Sequence, residues 1–431
     1  MKLTKKQFIR RGFTLLELLI VVSLIAALAA LSIVAMNGVT EQAEVAASTA
    51  TVLKVNSLLE ERIEAFNRSF RGAQRDSFVI ATVGLLKAVD GRFDYFIQNP
   101  DEAPPAIRLL AYKAAFRFEM PQRFAERTAS GDTSSAPPTG MPLSIYQTIA
   151  VPNAIGELTA DGGATPTSAE VDSLVASKFA QHTPETESAE LLYFALIKSG
   201  NFGAFSGGAD QFSSDEIADT DGDGLPEFVD VWGQPLRFYR WPTRLFDPNA
   251  PNPFTPVFAT VNDNTEVDPT PLDDDGDPST VEDTDDLREI LPFERDNAGL
   301  MVKGLPPSPV QIGTSIQRDL LLVDPDDPVG ILYTFIEDPQ FVAMGIDLTE
   351  EFNEAKYHTP DTYHSPLVVS AGVDGVLGLR EPTDVVPASG IYGNLAQFAD
   401  TTATTPIPSA ATLDAVFDNL TNRNRRAGAT R

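Results

Sequence analysis

Residues 10–36 read RRGFTLLELLIVVSLIAALAALSIVAM, and the architecture turns on this stretch. Ahead of it the chain carries Lys2, Lys5 and Lys6, and with Arg10 and Arg11 these form a basic leader containing no acidic residue. From Phe13 to Met36 the sequence is apolar except for Thr14, Glu17, Ser23 and Ser32. At helical rise, residues 13–36 reach roughly 36 Å, enough for a hydrocarbon layer of about 30 Å. The basic flank predicts a cytoplasmic leader and translocation of everything beyond Met36. A secretory signal peptide is the competing reading, with Ala27-Leu28-Ala29 as a small-residue cleavage site. Against it, the apolar run is longer than an ordinary signal core, Glu17 sits near its start, and Arg11-Gly12 directly precedes it.

A carboxylate inside lipid costs about 2.5–3.5 kcal/mol at the helix centre on insertion scales, so Glu17 calls for a cation. Cleavage after Gly12 would create one, the α-amino group of Phe13, in the same chain or its neighbour. On these residues the segment resembles the class III signal of type IV prepilins and type II secretion pseudopilins: glycine before the cut, phenylalanine after it, glutamate fifth in the mature chain. The resemblance implies cleavage by a membrane-bound prepilin peptidase at Gly12, methylation of the new terminus at Phe13, and Glu17 as the assembly carboxylate. The proline this family places later in the hydrophobic helix is absent, leaving Asn37-Gly38 as the weak point.

Beyond the apolar run, residues 40–71 contain no proline. Val45, Val52, Val55, Leu59, Ile63, Phe66 and Phe70 fall on one helical face, so the helix is expected to continue and dock that stripe on a domain, or to pair as a coiled coil. Arg71-Gly72 marks its expected end. Helices are also predicted over Phe78–Val89, Ala106–Phe118 and Thr186–Lys198, and irregular chain over Thr128–Pro142 and Ala160–Ser168.

Overall charge narrows the partners. With 61 Asp+Glu against 32 Lys+Arg the net charge is −29, which disfavours nucleic acid and favours divalent cations. There is no cysteine, hence no disulfide, thiolate metal site or thiol nucleophile. The three histidines, His182, His358 and His364, read as ordinary surface or loop residues.

The sharpest motif after the N terminus is Asp219-Thr-Asp-Gly-Asp-Gly-Leu-Pro-Glu-Phe-Val-Asp230. Asp219, Asp221, Asp223, the Leu225 carbonyl, Glu227 and Asp230 fall at the ligand spacing of a calcium loop, with Gly224 at the sharp turn. Pro226 and the aspartate in the last position depart from that pattern, a strand is expected to follow, and a solvated acidic turn is the competing use. Next, Asp230-Val-Trp-Gly-Gln-Pro-Leu-Arg-Phe-Tyr239 resembles the Trp-Gly and aromatic-strand segment of type II secretion major pseudopilins, and Val368 to Gly378 resembles their second strand and Gly-x-Asp-Gly loop. The resemblance implies neighbouring strands and Asp374 as a further calcium ligand. A large insertion would then separate them. Within it, Asp273, Asp274, Asp275, Asp277, Glu282, Asp283, Asp285 and Asp286 read as a solvated acidic loop, and Asp324 to Pro328 as a turn. Trp232, Phe238, Tyr239 and Trp241 read as core.

The expected fold is α+β and pilin-like: a long N-terminal hydrophobic helix on a mainly antiparallel β-sheet domain with large insertions. The expected layout is a leader at 1–12, a membrane and assembly helix at 13–36, its amphipathic continuation at 37–72, and an extracytoplasmic acidic domain at 73–431. Its pilin-like strands are expected at 219–245 and 365–380. No nucleophile elbow, phosphate loop or zinc signature is present, so an enzyme is not expected. The expected role is a calcium-stabilised filament subunit in the bacterial inner membrane, partnered by prepilin peptidase and by copies of itself or other pilins; the alternative is a non-polymerising, membrane-tethered calcium- or substrate-binding protein.

Overall fold

The computed structural model describes residues 15–89, 93–127, 137–160, 162, 164–199, 208–242, 259–261, 267–268, 289–290, 310–312, 315–317, 366–386, 389, 391–402 and 408–422. Gly12, Phe13, the acidic run at 273–286, the turn at 324–328, His358 and His364 lie outside them.

Helix α1 runs unbroken from Leu15 to Ser69, straight through Asn37-Gly38. Its C-terminal half follows the periodicity: Val52, Val55, Leu58, Leu59 and Phe66 are buried, and Val45, Ile63 and Phe70 are half-buried. Each such aliphatic or aromatic side chain contributes about 1.5–3 kcal/mol relative to exposure. The helix stops at Ser69, and Gly72, with φ of +55°, turns the chain into α2, Gly72–Val89. Near the N terminus Leu15, Leu18, Leu19, Leu24, Ile25 and Leu28 are exposed. Counted over the described residues, no helix is long and apolar enough to cross a membrane; α1 side chains at 16, 17, 27, 29–39 and 41 lie outside the description.

A helical layer follows: α3 Asp94–Gln98, α4 Pro105–Glu119, α5 Leu143–Ile145, a π turn at Tyr146–Ala150, α6 Val151–Thr159, α7 Ser168–Phe179, and α8 Pro184–Tyr193, which runs into a second π turn at Phe194–Lys198. Helix α4 buries Ile107, Leu110, Ala111 and Phe116. Phe66 of α1 lies 5.4 Å from both Tyr112 and Phe116, and Phe116 lies 6.0 Å from Trp241, so one aromatic chain ties α1 through α4 to the sheet.

The strands are short. β1 Ile217–Ala218 pairs with β2 Glu227–Phe228 across the acidic loop. β3 Arg237–Tyr239 is followed by β4 Ala259–Val261, β5 Val267–Asp268, β6 Glu289–Ile290, β7 Val310–Ile312 and β8 Ser315–Gln317, then β9 Leu367–Ser370, β10 Val385–Val386 and β11 Ile391–Tyr392. Helix α9, Ala410–Asp418, leads into β12, Leu420–Thr421. The central sheet has the order β12-β9-β3, with Phe238 opposite Val368 and Tyr239 opposite Leu367. All pairings between these strands are antiparallel. The segments on either side of residues 240–366 are therefore adjacent strands.

The architecture is α+β, but its described part is far richer in helix than the mainly β domain expected. Residues 143–159 and 168–179, left without helix by the sequence reading, are helical because buried residues recur a turn apart, as in Ile145–Ile149 and Val171–Val175. Phe238, Tyr239 and Trp241 are core; Trp232 is half-buried and its ring N–H donates to Glu44 of α1.

Candidate metal centre

The acidic loop closes on itself before it meets any neighbour. Gly222 and Gly224 hold φ of +83° and +92°, conformations costly for side-chain-bearing residues. These turns let Asp219 accept from both glycine amides, through Oδ1 at 2.8 Å from Gly222 and Oδ2 at 3.0 Å from Gly224. Oδ1 of Asp221 accepts from the amide of Asp223, and Oδ1 of Asp223 from the amide of buried Leu225. Oε1 of Glu227 accepts from the amide and hydroxyl of Thr220, while its Oε2 is buried without a hydrogen-bond partner. Asp230 turns away toward the strand junction: Oδ1 accepts from the amides of Trp232 and Gln234, and Oδ2 accepts from Ser370 Oγ.

The remaining oxygens of Asp221 and Asp223 face the α7–α8 turn. Oδ2 of Asp221 takes 2.8 Å bonds from the amide of Thr183 and the hydroxyl of Thr186. Oδ2 of Asp223 lies 3.0 Å from His182 Nδ1, which is also 3.6 Å from Glu190 Oε2 and 3.8 Å from Asp221 Oδ2. The imidazole packs against both Phe124 and Phe179, at 4.9 and 5.1 Å between ring centres, and the two phenyl rings lie 5.8 Å from each other. The imidazole Nε2 meets Glu187 at 3.4 Å. Glu190 is 1% exposed and neither of its oxygens has a hydrogen-bond partner. His182, Glu190, Asp221 and Asp223 each present one donor atom, all within 4.8 Å of one another.

Comparison with known proteins bears on the other end of the molecule. Residues 9–33 match the family model described as the prokaryotic N-terminal methylation motif. The chain's N-terminal segment is prepilin-like. No curated protein and no solved structure matches the chain. The matched range contains Gly12, Phe13 and Glu17, and Glu17 falls in the first turn of α1.

Electrostatics in the acidic loop follow from crowding. Burial and neighbouring aspartates raise the carboxyl of Asp219 above its usual range and that of Glu227 to about 8, with backbone and Thr220 hydrogen bonds opposing. Burial also raises Asp223, Glu190 and Asp230. For His182 burial favours the neutral ring, but the surrounding carboxylates of Asp223, Glu187 and Glu190 prevail and push it to about 12. A divalent cation would reverse the carboxylate shifts by supplying the missing positive charge.

Asp374 lies apart from this cluster. It is exposed, its Oδ1 caps the amide of Val376, and its own amide donates to Asp418 Oδ2 at 3.4 Å. Sequence reading missed His182 and Glu190. The available signal was local: Pro184 opens a helix on which Glu187 and Glu190 lie one turn apart, just after a histidine.

Proposed function

We propose that this chain is a structural subunit, pilin or pseudopilin, of a type IV pilus or type II secretion-like filament. In this reading prepilin peptidase cuts between Gly12 and Phe13, the new terminus is methylated, and residues 13–36 hold the chain in the inner membrane until assembly. The observation that carries it is the methylation-motif match at residues 9–33, which supports processing as a pilin-like precursor. The continuous α1 adds support, because its exposed leucines and isoleucines need lipid or a neighbouring helix to cover them. Glu17 pairs with the Phe13 amine of an adjacent subunit, and the acidic domain lies on the periplasmic or outer side.

Calcium is the proposed ion of the acidic loop, held by Asp219, Asp221, Asp223, the Leu225 carbonyl and Glu227. The orphaned Oε2 of Glu227 supports this, since a buried carboxylate oxygen without a donor is costly unless protonated or bound to a cation. Asp230, engaged with Ser370, and Asp374, on its separate turn, stand outside this set.

The native chain's lack of cysteine makes the assembly test clean. An Ala27→Cys chain should cross-link to itself in cells, and Glu17→Val on that background should abolish the cross-link while the protein still fractionates with membranes. Undiminished cross-linking in the Glu17→Val chain, or none in its parent, would favour a tethered monomer.

A further inference from the structure

The cluster formed by His182, Glu190, Asp221 and Asp223 involves two residues absent from the calcium loop, and it has the construction of a second kind of site. Two donors each about 2.1 Å from a common ion lie about 3.0 Å apart at a right angle and about 3.4 Å apart at the tetrahedral angle. The separations from His182 Nδ1 to Asp223, Glu190 and Asp221, at 3.0, 3.6 and 3.8 Å, bracket these values. The ring is part of an aromatic cluster, packed against Phe124 and Phe179, which also touch each other. Its second nitrogen meets the Glu187 carboxylate. A metal-bound histidine is commonly oriented by a carboxylate on its other nitrogen. Glu187 is itself held, its Oε1 accepting from the Phe124 amide. Pointing into the cluster is Glu190, almost fully buried on α8, with both oxygens unpartnered.

We propose that His182, Glu190, Asp221 and Asp223 bind one divalent transition metal of the kind that accepts mixed imidazole and carboxylate ligands, such as Mn2+, Fe2+ or Zn2+. Calcium is disfavoured here, since it takes oxygen ligands and this set centres on a nitrogen. The ion pins the α7–α8 turn and α8 to the acidic loop, a cross-link of the kind a cysteine-free chain cannot make with disulfides. The calcium proposal shares Asp221 and Asp223, but Asp219 and Glu227 belong to it alone, as His182 and Glu190 belong to this one. Each shared aspartate turns Oδ1 to the loop's own amides and Oδ2 toward His182.

Mn2+ alone is the probe, titrated into the detergent-solubilised, chelator-stripped full chain and followed by electron paramagnetic resonance. One ion should bind per chain, and its pulsed spectrum should show coupling to a single imidazole nitrogen. Glu190→Gln should weaken binding by roughly tenfold or more, the least that losing even an outer partner of a ligand costs. Asp219→Asn should weaken calcium binding and leave Mn2+ in place. Failure of the wild-type chain to take up Mn2+, or a bound ion without nitrogen coupling, overturns the proposal without recourse to any variant; His182 would then serve as the cluster's own cation. Loss of both ions in Asp219→Asn would merge the two sites and overturn it as a separate centre, whereas loss of the calcium response alone in the wild type counts only against the calcium reading.

Discussion

The hydroxyl of Ser370 donates a 2.7 Å hydrogen bond to Oδ2 of Asp230, joining the exit of the acidic loop to strand β9 across the whole of residues 240–366. Both residues are buried, and the same aspartate shapes the Trp232-Gly233 turn that brings α1 and the sheet together. Ser370→Ala would leave Oδ2 without its donor and should cost about 1–3 kcal/mol in urea unfolding of the full chain. An unchanged midpoint and slope would mean that the junction is held elsewhere.

Glu126 and Arg240 make a buried, two-pronged pair with both bonds at 2.8 Å. Burial alone would raise the carboxyl, but Arg240, aided by Arg123 and Arg117, holds it down from 4.5 to about 2. Because the folded value is the lower one, this stabilisation is complete above 4.5 and is lost as pH falls toward 2. Glu126→Gln should cost about 3–5 kcal/mol near neutrality. It should also flatten the decline of unfolding free energy with acid across that window, as measured by denaturant titrations at successive pH values. A variant that declines as steeply as the parent would assign the acid sensitivity to other groups.

Calcium at a hundred times its dissociation constant should stabilise the folded chain by about 2.7 kcal/mol, visible as a rise in melting temperature that chelator abolishes. Asp219→Asn, which removes a ligand of the loop ion only, should lose that rise. Identical melting with calcium and with chelator would leave the loop as an acidic turn.

Helix α7 begins at a capping box in which Thr167 and Glu170 satisfy each other's backbone amides. Thr167→Ala should lower stability by about 1 kcal/mol, detectable as a shift in urea midpoint without change of slope. A larger loss would show that α7 holds the loop and His182 cooperatively.

Much of the frame was legible because periodicity is local. The spacing of Val52, Val55, Leu59 and Phe66 predicts the buried face of α1, and the segments around Phe238 and Val368 were matched by resemblance to adjacent strands and do pair. The helices over 143–159 and 168–179 were missed even though Thr167-x-x-Glu170 is a start signal that sequence displays openly. The site was legible only on one side. Asp219 to Glu227 announce a cation loop by spacing, whereas His182 and Glu190 join it through the packing of α8 against the loop, and no spacing within either segment records that approach. The expectation that Asp230 completes the loop did not anticipate its engagement with Ser370, a partner remote in sequence.

The most direct measurement is the mass and sequence of the mature N terminus, taken from protein purified from its native membrane. Processing as a prepilin gives a chain beginning at N-methylated Phe13, with Glu17 as its fifth residue. A chain that begins at Ala30, or one that retains Met1, would contradict it.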